Sequence, residues 1–419
     1  FYMWHCHRRS AFPLSLLLFA FAAASSSQPD EAAGTLHVAN NGSDSDRCGS
    51  TRQPCRSISR AIQQANDGDT ILVGPGFYGD VNLDGDFSDP GDEALNTTSF
   101  PDACLICVNK RVRVRSTHGA DLTIIDGTGT EELGPVVGVS IQVPGVSFGA
   151  ESRGFTIREI SNIGVSVRPE ASDVTVAGNH ALNNGIDDDS SGIGFFITVG
   201  AGVTRVQGNL ATNNNFHGFL VAHGGVGAGS ARILGNLARG NGEYGFVIEA
   251  GAAPGYAIIG NVATSNGGGF SFDGRDLLAR RNIAINNGQG VSIEGENTSN
   301  MMLLESSIIG NDAGIIIGSE VPGPVDIHRS NIYGNVGGTS TTEPNCGISN
   351  QDGLVDARNN FWGLPTGPGP DPADDAGRPG CDVSAESETL VVPFATRPFP
   401  IRAQPVQHGK PAQQEIEAE

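Results

Sequence analysis

Three carboxylates recur at one place in a repeating phrase. Glu249, Asp273 and Glu294 each lie four residues after a glycine (Gly245, Gly269 and Gly290) that opens a short apolar run. Side chains of an extended strand alternate between faces, so these three point outward while Ile248, Phe272 and Ile293 point inward. If the runs stack as neighbouring strands, the carboxylates form a column with about 5 Å between members. Like charges that close repel, which raises a pKa or draws in a cation. A carboxyl pair about 5 Å apart also suits glycoside hydrolysis with retention, one group as acid and the other as nucleophile. The plain alternative is three solvated carboxylates at strand ends.

Other residues gather near this column. His217 and Tyr244 hold matching positions one period apart, before their apolar runs. His217 offers an acid or base near neutral pH; Tyr244 offers a ring for a sugar. The segment Gly185–Gly192 interrupts the rhythm with Asp187, Asp188 and Asp189, and long loops on a rigid coil are where function concentrates. Asp187 and Asp188 join the catalytic candidates and Asp189 the substrate contacts. His223, just past Phe219, is a further substrate contact expected on the same face. The alternative for these residues is a solvent-exposed turn. A separate candidate is Asp80-Val-Asn82-Leu-Asp84-Gly85-Asp86-Phe-Ser88. Oxygen donors alternate and a glycine allows the sharp turn, as in the first half of a calcium loop. Gly91 stands where the loop's closing glutamate belongs, so an acidic loop of Asx turns is the alternative reading.

The elements that must position these residues are repeats. Asn209, Asn236, Asn261 and Asn282 each open a phrase of the type Asn-Leu-Ala-Thr-Asn-Asn, and are 27, 25 and 21 residues apart. A period of that length without helical pattern predicts an all-β solenoid: a single-stranded right-handed parallel β-helix with three short strands per coil. Phe219, Phe246, Phe270, Val291 and Ile315 form an inward ladder, and the four asparagines a second ladder at a bend. Ahead of the coil, Ile58, Ala61, Ile62 and Ala65 follow helical spacing. This predicts a capping helix over 57–66 that covers the first rung. The β-helix is expected over 35–395, a linker over 25–34 and a disordered tail over 396–419.

The chain ends and composition bound the setting. Arg8 and Arg9 precede an apolar run from Ala11 to Ala24 that is too short to span a bilayer. A signal peptide over 1–24 is expected, with no membrane span and a secreted or periplasmic destination. Six cysteines then remain; among the 15 connectivities they allow, proximity favours Cys48 with Cys55, Cys104 with Cys107 and Cys346 with Cys381. A net charge of −21 opposes nucleic-acid binding and unaided binding of a polyanionic glycan; bound Ca²⁺ would reverse the latter. The chain is read as a monomer.

Leu36–Val38, the Ser57–Asn66 helix and Asp69-Thr-Ile-Leu-Val-Gly-Pro-Gly-Phe-Tyr78 resemble the cap and first rung of secreted pectin-lyase-like parallel β-helix proteins. The asparagine-rich coils resemble their repeats. Asn359-Asn-Phe-Trp-Gly363 resembles a late-rung motif found also in periplasmic NosD-like proteins. The resemblance implies a β-helix and spans polysaccharide lyases, glycoside hydrolases, epimerases and adhesins. The chain departs from polygalacturonase-like hydrolases: it has Asp187-Asp188-Asp189 but no Asn-Thr-Asp and no Gly-His-Gly. Two readings therefore stand. One is a protein that binds or cleaves extracellular polysaccharide, as a lyase or hydrolase if it is an enzyme, with Ca²⁺ as its candidate cofactor. The other is a non-catalytic surface or matrix protein.

Overall fold

The computed structural model describes residues 33–96, 103–130, 136–185, 192–225, 227, 229–336, 345–370, 372–377 and 380–402. The expected signal peptide and Asp187, Asp188 and Asp189 lie outside the described residues. Successive strands pass in turn to three parallel sheets of thirteen, ten and ten strands. This is the expected right-handed parallel β-helix. We call the ten-stranded sheet containing Phe219–His223 the front sheet, the one containing Leu210–Thr212 the back sheet, and the third the long sheet.

The core is built by residues that repeat in register. Phe195, Phe219, Phe246 and Phe270 stack with ring centroids 4.8, 4.7 and 4.9 Å apart, and Val291 and Ile315 continue the column. All six are buried. Offset stacking of aromatic rings adds to what their burial contributes.

The bends are held by side-chain amides. Asn209 donates its backbone N–H to Asn236 Oδ1 at 2.9 Å and its own amide to the same oxygen at 3.1 Å. Asn236 does the same to Asn261, and Asn261 to Asn282. This is the predicted ladder; Ser306, Ser330 and Asn360 extend it. A second ladder runs through Asn184, Asn214, Asn241, Asn266, Asn287, Asn311 and Asn335, and ends on Asp374. Spacing alone assigns these second asparagines of the phrase no role. Each fully buried amide replaces the partners that a turning backbone loses.

The capping helix, α1, spans Ile58–Gln64, shorter than expected, with Ser57 as N-cap accepting from the Arg60 N–H at 3.1 Å. Its buried face is Ile58, Ala61 and Ile62, followed by buried Ala65. Beneath its first turn lies Glu93, fully buried, accepting from the N–H of Ile58 and Ser59 at 2.7 and 2.8 Å and from the Ser59 hydroxyl at 2.6 Å. Burial pushes this carboxyl up to about 7, against those donors.

All three expected disulfides form, Cys48–Cys55, Cys104–Cys107 and Cys346–Cys381. The last strand is Glu388–Leu390, added to the long sheet beside Leu354–Asp356. Of the expected disordered tail, residues 396–402 are described and lie against the coil. Asn331 clamps Phe399 by two hydrogen bonds, its Oδ1 accepting from the N–H at 2.8 Å and its Nδ2 donating to the carbonyl at 3.0 Å. Composition suggested disorder from 396, but this contact spans 68 residues and leaves no local pattern. No helix among the described residues is long and apolar enough to cross a membrane.

Asn241 accepts from the N–H and amide of Asn214 and donates to Asn266 and to the Ala211 carbonyl. Asn241→Ala leaves buried donors and an acceptor unpaired and should lower stability in urea unfolding by about 3 kcal/mol. The exposed Asn297→Ala should change it by less than about 0.5 kcal/mol.

Candidate functional site

The register of the front sheet fixes what its outer surface presents. Three rows of side chains point outward there. The first contains Ile163, Ile193, Tyr244, Gly268 and Gln289. The second contains Ser166, Phe196, Leu220, Val247, Ser271 and Ser292. The third contains Thr198, Ala222, Glu249, Asp273 and Glu294. The predicted column is therefore in direct register, with Glu249 paired to Asp273 and Asp273 to Glu294.

Two irregularities sit at the column. The register slips after Glu249 and again after Asp273. Such bulges re-aim side chains. The Asp273 carboxyl leans over Gly295, where an added Cβ would meet Asp273 Oδ1 at 2.3 Å. Gly295 also has φ +89°, a conformation that glycine adopts without strain. Gly274 donates its N–H to Thr298 Oγ1 at 2.9 Å, and that hydroxyl faces both the Glu294 carbonyl and Asp273 Oδ1, the latter at 3.4 Å. The Ser292 hydroxyl donates to Glu294 Oε1. Glu249 is raised above the ordinary carboxylate range by burial first and then by Asp273. Asp273 is raised by burial, then by Glu294 and Glu296, with Thr298 pulling the other way.

Tyr244 bridges two rungs beside the column. Its ring lies over Gly268, whose added Cβ would stand 2.3 Å from Tyr244 Cε1. The phenol then reaches Gln289, donating to Oε1 at 3.0 Å. Burial raises the phenol above its ordinary value, with Glu294 adding to the shift and Ser292 opposing it. His217 sits one rung earlier, with the Phe216 ring centroid 3.9 Å away. Its Nδ1 accepts the Tyr244 N–H at 3.3 Å. Burial pushes it down to about 4, so the ring is neutral at pH 7 and supports the backbone of Tyr244. His223 is not on this face. It pairs with the buried Val199, two positions on from inward Val221, so strand alternation turns it away from Glu249.

Residues that the sequence reading missed, Ser292, Thr298, Gln289 and Gly268, are those that orient the carboxylates and the phenol. The same alignment that stacked Glu249, Asp273 and Glu294 also stacks Tyr244, Gly268 and Gln289. Toward the N-terminal side the same surface holds a cavity of about 350 Å³ lined by Val137, Ile163, Ser166, Arg168, Pro169, Phe196 and Thr198.

The Asp80 loop folds as a chain of Asx turns. Asp80 Oδ1 accepts from the N–H of Asn82 and Leu83 and Oδ2 from Gly85, at 3.1, 2.8 and 2.7 Å. Asn82, Asp84 and Asp86 each accept from the N–H two residues on. Asp92 closes the loop onto Val81 and Asp89. The donors are all oxygens, which suits a hard cation, but backbone groups already occupy much of Asp80. Among the described residues, His, Cys and carboxylate groups that converge at metal-ligand distance are Asp44 with Cys48 and Cys55, and Asp326 with His328 and Asp356. The two cysteines are in a disulfide, and Arg358 holds both oxygens of Asp356.

No family model matches the chain, and no curated protein matches it. Solved structures that resemble it include pectate lyase Pel9A, at 18% identity over 87% of this chain and 80% of that one, TM-score 0.41. The periplasmic alginate epimerase AlgG gives 10% over 79% and 77%, TM-score 0.43. The A-module of the Azotobacter vinelandii mannuronan C-5 epimerase AlgE6 gives 14% over 81% and 93%, TM-score 0.45.

The raised pKa values carry a sign. A carboxyl raised in the folded state costs stability as pH climbs from its ordinary value through the raised one. Glu249 and Asp273 should thus make the protein less stable above the ordinary carboxylate range than below it. Asp273→Asn should raise the thermal midpoint at pH 7 and leave it unchanged near pH 3, measured by calorimetry across pH.

Proposed function

We propose that the protein is exported and that it binds and cleaves polysaccharide along the outer surface of its front sheet. The observation that carries this is the in-register column Glu249–Asp273–Glu294 with the Tyr244 phenol beside it. Asp273, between two carboxylates and partly desolvated, is the proton donor to the leaving oxygen. Glu294, held by Ser292, is the partner carboxylate. A separation of one rung, about 5 Å, favours attack by Glu294 on the anomeric carbon and retention of configuration. Burial, then Glu294 and Glu296, favours the protonated form of Asp273; Glu249, itself raised by Asp273, shares in the titration of that pair, and Tyr244 stacks on or donates to the sugar. The apolar strip Phe196–Leu220–Val247 and the cavity at Arg168 extend the binding surface over several further rungs. The three disulfides support an oxidising, extracellular or periplasmic destination.

Purified protein should release reducing ends from a neutral or uronate glycan. Asp273→Asn and Glu294→Gln should each lower kcat at least about 100-fold, and Glu249→Gln should shift the alkaline limb of the pH profile. Full activity in the triple variant removes this site; binding with no turnover of any glycan favours the non-catalytic reading.

We also propose Ca²⁺ at the Asp80 loop, with Asn82, Asp84, Asp86 and Ser88 as companions. Calorimetric titration should show one saturable site that Asp84→Ala abolishes. An absence of heat at millimolar Ca²⁺ leaves the loop as a set of Asx turns.

A further inference from the structure

A second surface inverts the character of the molecule. Against a net charge of −21, a cavity of about 350 Å³ is lined by three arginines, Arg281, Arg329 and Arg402, and one carboxylate, Glu305. The remaining wall is Phe399, Pro400 and Ile401 from the tail. The cavity lies on the bend between the long and back sheets, away from the carboxylate column.

The charges there are arranged, not scattered. Arg281, Glu305 and Arg329 occupy the same left-handed position of three successive bends, with φ of +57°, +49° and +55°. Earlier bends use Gly208, Gly235 and Gly260 at that position, where no side chain is needed. Glu305 is already neutralised: Arg280 Nη2 reaches its two oxygens at 2.8 and 3.0 Å and Arg281 Nε binds Oε2 at 3.0 Å. These partners hold Glu305 below the ordinary carboxylate range, Arg280 most of all. Arg329 and Arg402 have no ion pair among the described residues. Arg402 stands three residues beyond the two-point clamp of Phe399 by Asn331, so the tail delivers a guanidinium to a defined place.

We propose that this cavity binds an oxyanion, a sulfate, phosphate or carboxylate group, between Arg329 and Arg402 with Arg281 behind. Guanidinium forks match such groups in pairs of hydrogen bonds. The cavity leaves room for a sugar that carries the anion. Bound anion joins the tail to the coil. The site is independent of the carboxylate column and stands if that column proves inert.

The test is calorimetric titration of the full chain with inorganic sulfate and, separately, with a sugar sulfate and a uronic acid, at low salt and at 0.15 M. Saturable, salt-sensitive binding is expected, weakened about tenfold by Arg329→Ala and by Arg402→Ala. The exposed Arg52→Ala should leave it unchanged. Arg402→Ala lies on the tail and leaves the coil intact, as circular dichroism will check. Tighter binding of a sugar anion than of sulfate identifies a glycan subsite; tighter binding of sulfate identifies a free-anion site; both support the proposal. Absence of saturable binding with all three ligands, or wild-type affinity in both variants, overturns it.

Discussion

A coil that turns three times per rung must find partners for the backbone groups that leave each strand. This chain solves the problem with side chains from the next rung. At both asparagine bends a single carboxamide oxygen receives the neighbouring rung's N–H and its amide. That pairing is satisfied only when the two rungs sit at one relative shift. The buried amides therefore do more than stabilise: they fix register, and a slip of one residue would turn every side chain to the opposite face. The outward rows on the front sheet inherit their alignment from the two bends that flank the back sheet.

Much of this was legible because it repeats. The inward phenylalanines, the first asparagine ladder and the carboxylate column all follow from aligning phrases on Gly245, Gly269 and Gly290. The disulfides followed from proximity. What failed to show was aperiodic. Glu93 meets α1 across 35 residues and Asn331 meets Phe399 across 68, contacts that no local pattern encodes. The second ladder is in plain view in the repeated phrase, as Asn214, Asn241, Asn266 and Asn287. His223 was recoverable too: alternation from Phe219 already turns it inward. Gly268 shows the opposite difficulty, since its contribution is an absence of atoms that lets Tyr244 lie flat.

Charge is distributed unevenly over the solenoid. A rod of stacked identical positions converts one substitution per phrase into a line of like groups, and here one such line is acidic. At the bend between the long and back sheets the same stacking yields alternation instead, arginine, glutamate, arginine, with the middle charge cancelled by its neighbours. Both arrangements exploit the fact that adjacent rungs hold equivalent atoms about 5 Å apart, close enough for Coulomb forces to decide protonation and pairing.

The second ladder ends on Asp374, which accepts from both the N–H and the amide of Asn335. Every earlier member is both receiver and giver, so the pattern can be passed on by adding a rung. A carboxylate receives in the same geometry but has no amide hydrogen to offer. Exchanging one NH₂ for one oxygen thus removes the donor with which this ladder would reach a further asparagine, although the long sheet itself adds one more strand, Glu388–Leu390.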